Sequence, residues 1–76
     1  MITADNIPKD ITYKIIQISE CDVRARLTDM CCIPGTIITK LFEAPGGDPI
    51  AYSINGDYIL SLRISEAKNI IVKRIN

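Results

Sequence analysis

The sequence contains no histidine. That removes the side chain most used as a general base near neutral pH and a common zinc ligand. It also has no excess of charge, with nine Lys and Arg against nine Asp and Glu. A nucleic-acid binder needs basic residues to displace counterions from phosphates, and an anionic membrane recruits basic segments for the same reason. Neither class fits a neutral chain. One Phe and three Tyr leave little for base stacking. No apolar run approaches the about 20 residues that span a bilayer. The first ten residues, MITADNIPKD, lack both a basic segment and the long apolar stretch of a secretory signal. The chain therefore reads as cytosolic. Three cysteines, an odd number without a C-x-x-C pair, fit that compartment better than a disulfide framework.

What is present is enough for one small domain. Hydrophobic residues make up 47% of the 76-residue chain and charged residues 24%, a balance that excludes intrinsic disorder. A chain of this size buries only about 60% of the surface its unfolded form exposes. A partner or self-association surface would add stability.

Residues 1–10 carry Pro8 and no periodicity, and read as a loose arm; residues 11–76 form the domain. Residues 11–18, ITYKIIQI, are rich in β-branched side chains and predict a strand. Ile11, Tyr13 and Ile15 share one face, Ile16 and Ile18 the other; the switch implies either a bulge or burial on both sides. Ser19 is placed to cap a helix. Val23, Leu27 and Met30 give it one apolar stripe, and Asp22 can pair with Arg26 four residues on. Pro34 ends it. Pro34-Gly35 turns the chain into a strand over residues 36–42, where both faces are partly apolar. Residues 44–49, APGGDP, are turn formers. Residues 50–54 alternate as a half-buried strand. Asn55-Gly56 signals a type I′ hairpin, because both turn positions need positive φ. Residues 58–62 return, Ser65 caps a short helical turn, and residues 70–75 form a last strand. Five short strands and one helix suggest a small closed barrel, which removes exposed sheet edges.

Few residues point to chemistry. Cys21, Cys31 and Cys32 could bind a metal as thiolates, but their spacing resembles no metal site, and packing as small hydrophobes is the better reading. Cys21, in the first helical turn, is the most reactive candidate. Gly46-Gly47-Asp48 lacks the Lys and following helix of a phosphate loop, so Asp48 is read as a turn residue bonded to nearby backbone. Glu66 and Asp48 lack a nucleophile or cofactor motif beside them, and the chain is read as a non-enzyme. Arg63 is read as pairing locally.

Several segments together resemble the FeoA family: Arg26-Leu27-x-x-Met30, Pro34-Gly35-Thr36, Ala44-Pro45-x-Gly47-Asp48-Pro49-Ile50, and Leu60-Ser61-Leu62-Arg63 with Glu66-Ala67 and Ile70-x-Val72. They run in order from about residue 11 to residue 72. The resemblance implies a mainly β, SH3-like five-stranded barrel with a helix after the first strand and a helical turn before the last. It also implies a cytosolic accessory of ferrous-iron uptake that binds the cytosolic part of a FeoB-type transporter. Similar domains end the repressors of the diphtheria-toxin-repressor type, but no DNA-binding region is present here. Two departures stand out. Cys31 occupies the position where the family usually has a helix-capping Gly. The spacing from Gly56 to Arg63 looks one residue long, which a bulge would absorb.

Three functions follow as expectations. The first is a partner-binding module that uses the helix, through Arg24, Arg26 and Thr28, and the loop, through Glu43 and Asp48, with no resident cofactor. The second is a sensor that associates with Fe²⁺ through Cys21, Cys31 or Cys32. The third is a self-associating module in which a homo-oligomer covers residues 36–42.

Overall fold

A computed structural model describes residues 1–19 and 22–75. Its elements are β1 (Ile2–Thr3), β2 (Thr12–Ile18), α1 (Arg24–Asp29), β3 (Ile37–Glu43), β4 (Ile50–Ile54), β5 (Tyr58–Leu62), α2 (Ile64–Ala67) and β6 (Ile70–Arg74). The strands form one antiparallel sheet in the order β1-β6-β2-β3-β4-β5. There are thus six strands rather than five, and the sheet curls without closing: β1 and β5 remain its two edges. The additional strand, β1, is only two residues long and carries no alternation, which is why the sequence pattern conceals it.

The expected loose arm is corrected by the same region. Ile2 and Thr3 pair with Val72 and Ile71, and a 3-10 turn over Ala4–Asn6 follows. Ala4 and Ile7 are fully buried in the core. The buried Tyr52 hydroxyl donates to the Ala4 carbonyl at 2.9 Å. Burying two apolar side chains and satisfying a phenol in the interior hold the segment down, despite its polar composition.

Two bulges bend the sheet. In β2 the register against β6 shifts between Ile15 and Gln17, so Ile16 is the extra residue. Ile15 and Ile18 face the core while Ile16 is 46% exposed; of the two explanations for the face switch, the bulge holds. In β3 the shift against β4 falls between Lys40 and Phe42. Each bulge increases local twist, which lets a six-stranded sheet wrap one core. By contrast, β4 and β5 pair without a shift from Ile50↔Leu62 to Ile54↔Tyr58. The expected bulge in β5 is absent, and residues 55–57 of the turn carry the added length. Asn55 and Gly56 both have positive φ, at 55° and 71°, as the Asn-Gly signal requires. Asn55 also extends the ladder sideways. Its N–H donates to the Ile37 carbonyl and its Oδ1 accepts from the Ile37 N–H, at 2.8 and 2.9 Å.

Helix α1 is six residues long and shorter than the pattern suggests. Ser19 does not cap it: the Ser19 N–H donates to the Asn69 carbonyl and prolongs the sheet, while Val23 sits at the N-cap. The apolar stripe holds, with Leu27 buried and Val23 and Met30 packed against the core. At the C-terminus, Cys31 keeps the left-handed conformation with φ 67°. The Cys32 N–H bonds to the Leu27 carbonyl and the Cys31 N–H to the Thr28 carbonyl, at 2.9 and 3.0 Å. This is a Schellman cap, completed by the buried pair Leu27 and Cys32. Thr36, also buried, donates from Oγ1 to the Cys31 carbonyl at 2.8 Å and fixes the exit. The cap geometry of a glycine has been kept with a cysteine in its place. A Cβ in that conformation costs on the order of 1–2 kcal/mol. Cys31→Gly is therefore expected to stabilise the protein by about 1 kcal/mol, allowing for the extra freedom glycine gives the unfolded chain. Urea unfolding checks this: the midpoint should rise at constant slope, and a fall would mean that the Cys31 side chain contributes more than the strain costs.

Candidate functional site

The two surfaces expected to meet a partner, α1 and the loop before β4, are joined through α2. Helix α2 is capped at Arg63, not at Ser65. The Arg63 N–H donates to Glu66 Oε1 at 2.8 Å, so the third helical residue satisfies the backbone of the N-cap. The cap was hidden because arginine replaces the usual Ser or Thr, although the spacing of Arg63 to Glu66 is the spacing of a capping box. Glu66 Oε2 pairs with Arg26 of α1. Arg26 is expected to pair with Asp22; its partner is instead Glu66, which is buried and offers a less screened charge.

The loop holds the same N-terminal end of α2 from the other side. Asp48 Oδ1 accepts from the Ile64 N–H at 2.9 Å, and Oδ2 lies 3.5 Å from the Arg63 guanidinium. Asp48 thus bonds to backbone, as expected of a turn residue, but to backbone 16 positions away. The result is a chain of contacts, Arg26 to Glu66 to Arg63 to Asp48, across three segments. Among the expected partner-binding residues it unites Arg26 and Asp48. Arg24 is exposed on α1. Thr28 is turned back on the helix, its Oγ1 donating to the Arg24 carbonyl at 3.0 Å. Glu43 stands apart, paired with the largely buried Lys40 at 2.7 Å.

Two of the three cysteines fall among the described residues. Cys21 lies outside the described residues. Cys31 is exposed and Cys32 is fully buried. Burial, with Cys31 beside it, pushes the Cys32 thiol up to about 11. A thiol held neutral is a poor metal ligand. Among the described residues no group of three or more Cys, Asp or Glu is arranged to hold a metal ion. No helix among them is long and apolar enough to cross a membrane. Tyr52 is shifted upward too, first by burial and then by Asp5 and Glu43 nearby.

These contacts lead to two expectations. In a double-mutant cycle, Arg26→Ala and Glu66→Gln should each destabilise, and the two together by less than their sum, with a coupling of about 1 kcal/mol. Strict additivity would show that the pair contributes nothing. The second concerns pH. The folded pKa of Cys32 lies above its unfolded value, so its contribution is intact below about pH 9 and is lost as pH rises toward about 11. Thermal unfolding of Cys32→Ala should be less stable at neutral pH and show a shallower loss than wild type across that window. Equal slopes would refute the assignment.

Comparison with known proteins matches the FeoA domain family to residues 2–74. No curated protein matches the chain. Among solved structures, a FeoA-like protein from Clostridium acetobutylicum is 41% identical over 99% of this chain and 87% of its own, with a TM-score of 0.89. Iron(II) transport protein A from Clostridium thermocellum is 27% identical with a TM-score of 0.89; the alignment takes in 97% of this chain and 46% of that one. Stenotrophomonas maltophilia FeoA, solved with zinc, shares the fold at 23% identity and a TM-score of 0.81 over 96% of this chain and 91% of its own. That protein is described as a prokaryotic SH3 domain and a candidate ferrous iron transport activating factor.

Proposed function

The chain belongs to the FeoA family, and from that premise we propose that it is a non-enzymatic cytosolic accessory of ferrous-iron uptake that docks on the cytosolic part of a FeoB-type transporter. The observation that carries this reading is the family match across residues 2–74, nearly the whole domain. The docking surface is the one assembled around α2: the exposed side of α1 with Arg24 and Arg26, and the loop that presents Asp48. Its charged groups are held in place by one another, so a partner meets a preorganised surface and less side-chain entropy is lost on binding. Glu43 and Thr28, engaged elsewhere, belong to its margin.

The network also decides how the reading is tested. Reversing Arg26 would set two carboxylates against each other at a buried position and weaken the fold itself. Arg24→Glu, on the exposed side of α1, is the more informative substitution. Calorimetric titration into the transporter's cytosolic G domain, with and without guanine nucleotide, should give saturable binding. Arg24→Glu should weaken it by about tenfold, or roughly 1.4 kcal/mol, and leave the unfolding temperature within a few degrees of wild type. Absence of binding in both nucleotide states would overturn the proposal.

A further inference from the structure

Arg26, Lys40 and Arg63 are each matched by a carboxylate, but one face of the sheet sets two unmatched cations side by side. Tyr13 and Ile15 of β2 and Val72 of β6 point into the core. Lys14 and Lys73 between and beside them therefore point outward, and the register sets them directly opposite each other. Both are exposed, and neither ammonium group makes an ion pair or hydrogen bond with a described residue. The outward positions around them are Thr12, Thr39, Ile37, Gln17 and Ile71. No outward strand position of β2, β3 or β6 carries a carboxylate among the described residues.

Like charges directly opposite on neighbouring strands repel and destabilise the sheet. Nothing in the packing requires them here. Beside the pair, the β2 bulge turns Ile16 out to 46% exposure, and Ile75, whose N–H bonds the Thr12 carbonyl, is 39% exposed. The face thus combines two unneutralised ammonium groups with flanking apolar side chains. It is separate from the α1–α2 surface described above.

We propose that the outer face of β2 and β6, centred on Lys14 and Lys73, docks an acidic segment of a partner protein. Carboxylates placed between the two strands would neutralise both ammonium groups, and Ile16 and Ile75 would give such a segment apolar anchorage. An anionic lipid surface fits less well. Each lysine near such a surface contributes about fivefold in affinity, and two are too few to hold a soluble domain there. A second copy of this chain also fits less well. Its exposed carboxylates Asp10, Asp22, Asp29 and Asp57 are single residues in separate segments and none is on a strand of this face, so self-docking would be a head-to-tail contact and not a two-fold one.

The test uses the whole chain and a hexaglutamate peptide as probe. Backbone amide shifts at low salt should cluster on Lys14, Ile16, Gln17, Ile71 and Lys73. The basic groups of α1 and α2, Arg24, Arg26, Arg63 and Lys68, serve as the internal comparison. Lys14→Glu and Lys73→Glu should each weaken the footprint at least tenfold, as should about 0.5 M salt. The single variants also replace a like-charge pair with an opposite one. They should therefore unfold at a slightly higher temperature than wild type, which separates lost binding from lost fold. A footprint centred on α1 and α2, or none, overturns the proposal. So does equal binding to phosphatidylserine vesicles, or self-association of the free chain that Lys14→Glu abolishes. The probe assay does not involve the transporter, so its failure is distinct from failure of the transporter titration.

Discussion

The carboxylate of Glu66 is the joint of this molecule. One oxygen receives the N–H of Arg63 and the other the guanidinium of Arg26, so a single buried side chain starts α2 and fastens it to α1. A buried carboxylate is tolerated only with both oxygens satisfied, and these contacts meet that condition. Removing it would leave a helix start without its acceptor and would free α1 on the side away from the core. The neighbouring anchor, Asp48, repeats the device on a smaller scale by accepting from Ile64. Two helical pieces of six and four residues, too short to hold together alone, are thereby fixed by charge-assisted bonds and by the burial of Leu27 and Ala67.

Much of the sheet could be read from the sequence because its signals are local. Alternation set β4 and β5, Asn55-Gly56 set the turn, and Leu27 with its neighbours set the buried side of α1. What could not be read depends on contacts between distant segments. Residues 1–10 look polar and aperiodic, yet Ala4 and Ile7 are core residues because Tyr52 and β6 lie where they can receive them. Barrel closure was expected from the strand count and from the family resemblance, but whether two edges meet depends on curvature, and curvature comes from bulges that a pattern can hint at without placing. The switch between Ile15 and Ile16 gave that hint for β2; nothing comparable marked Leu41.

For the candidate site, the residue types were legible and their partners were not. Arg26 had a plausible partner four residues before it and found a better one forty residues after it. Asp48 looked like a turn residue and acts as a distant one. Cys31 posed the sharpest question, since a cysteine stood where the family resemblance led one to expect a helix-capping glycine. The answer is that backbone geometry prevailed over side-chain preference, because the hydrogen bonds of the cap and the burial of Cys32 exceed the cost of the strained residue.

Asn55 joins a local hairpin to a strand distant in the chain. The β4–β5 hairpin closes over a three-residue turn, so its own contacts cost little loop entropy. Once formed, it holds out an N–H and an amide oxygen that together mimic one more residue of sheet ladder, and Ile37 is the residue that accepts the offer. The turn is therefore also a template. It sets where β3 begins to pair, and through β3 the register of β2 and of the strands beyond it.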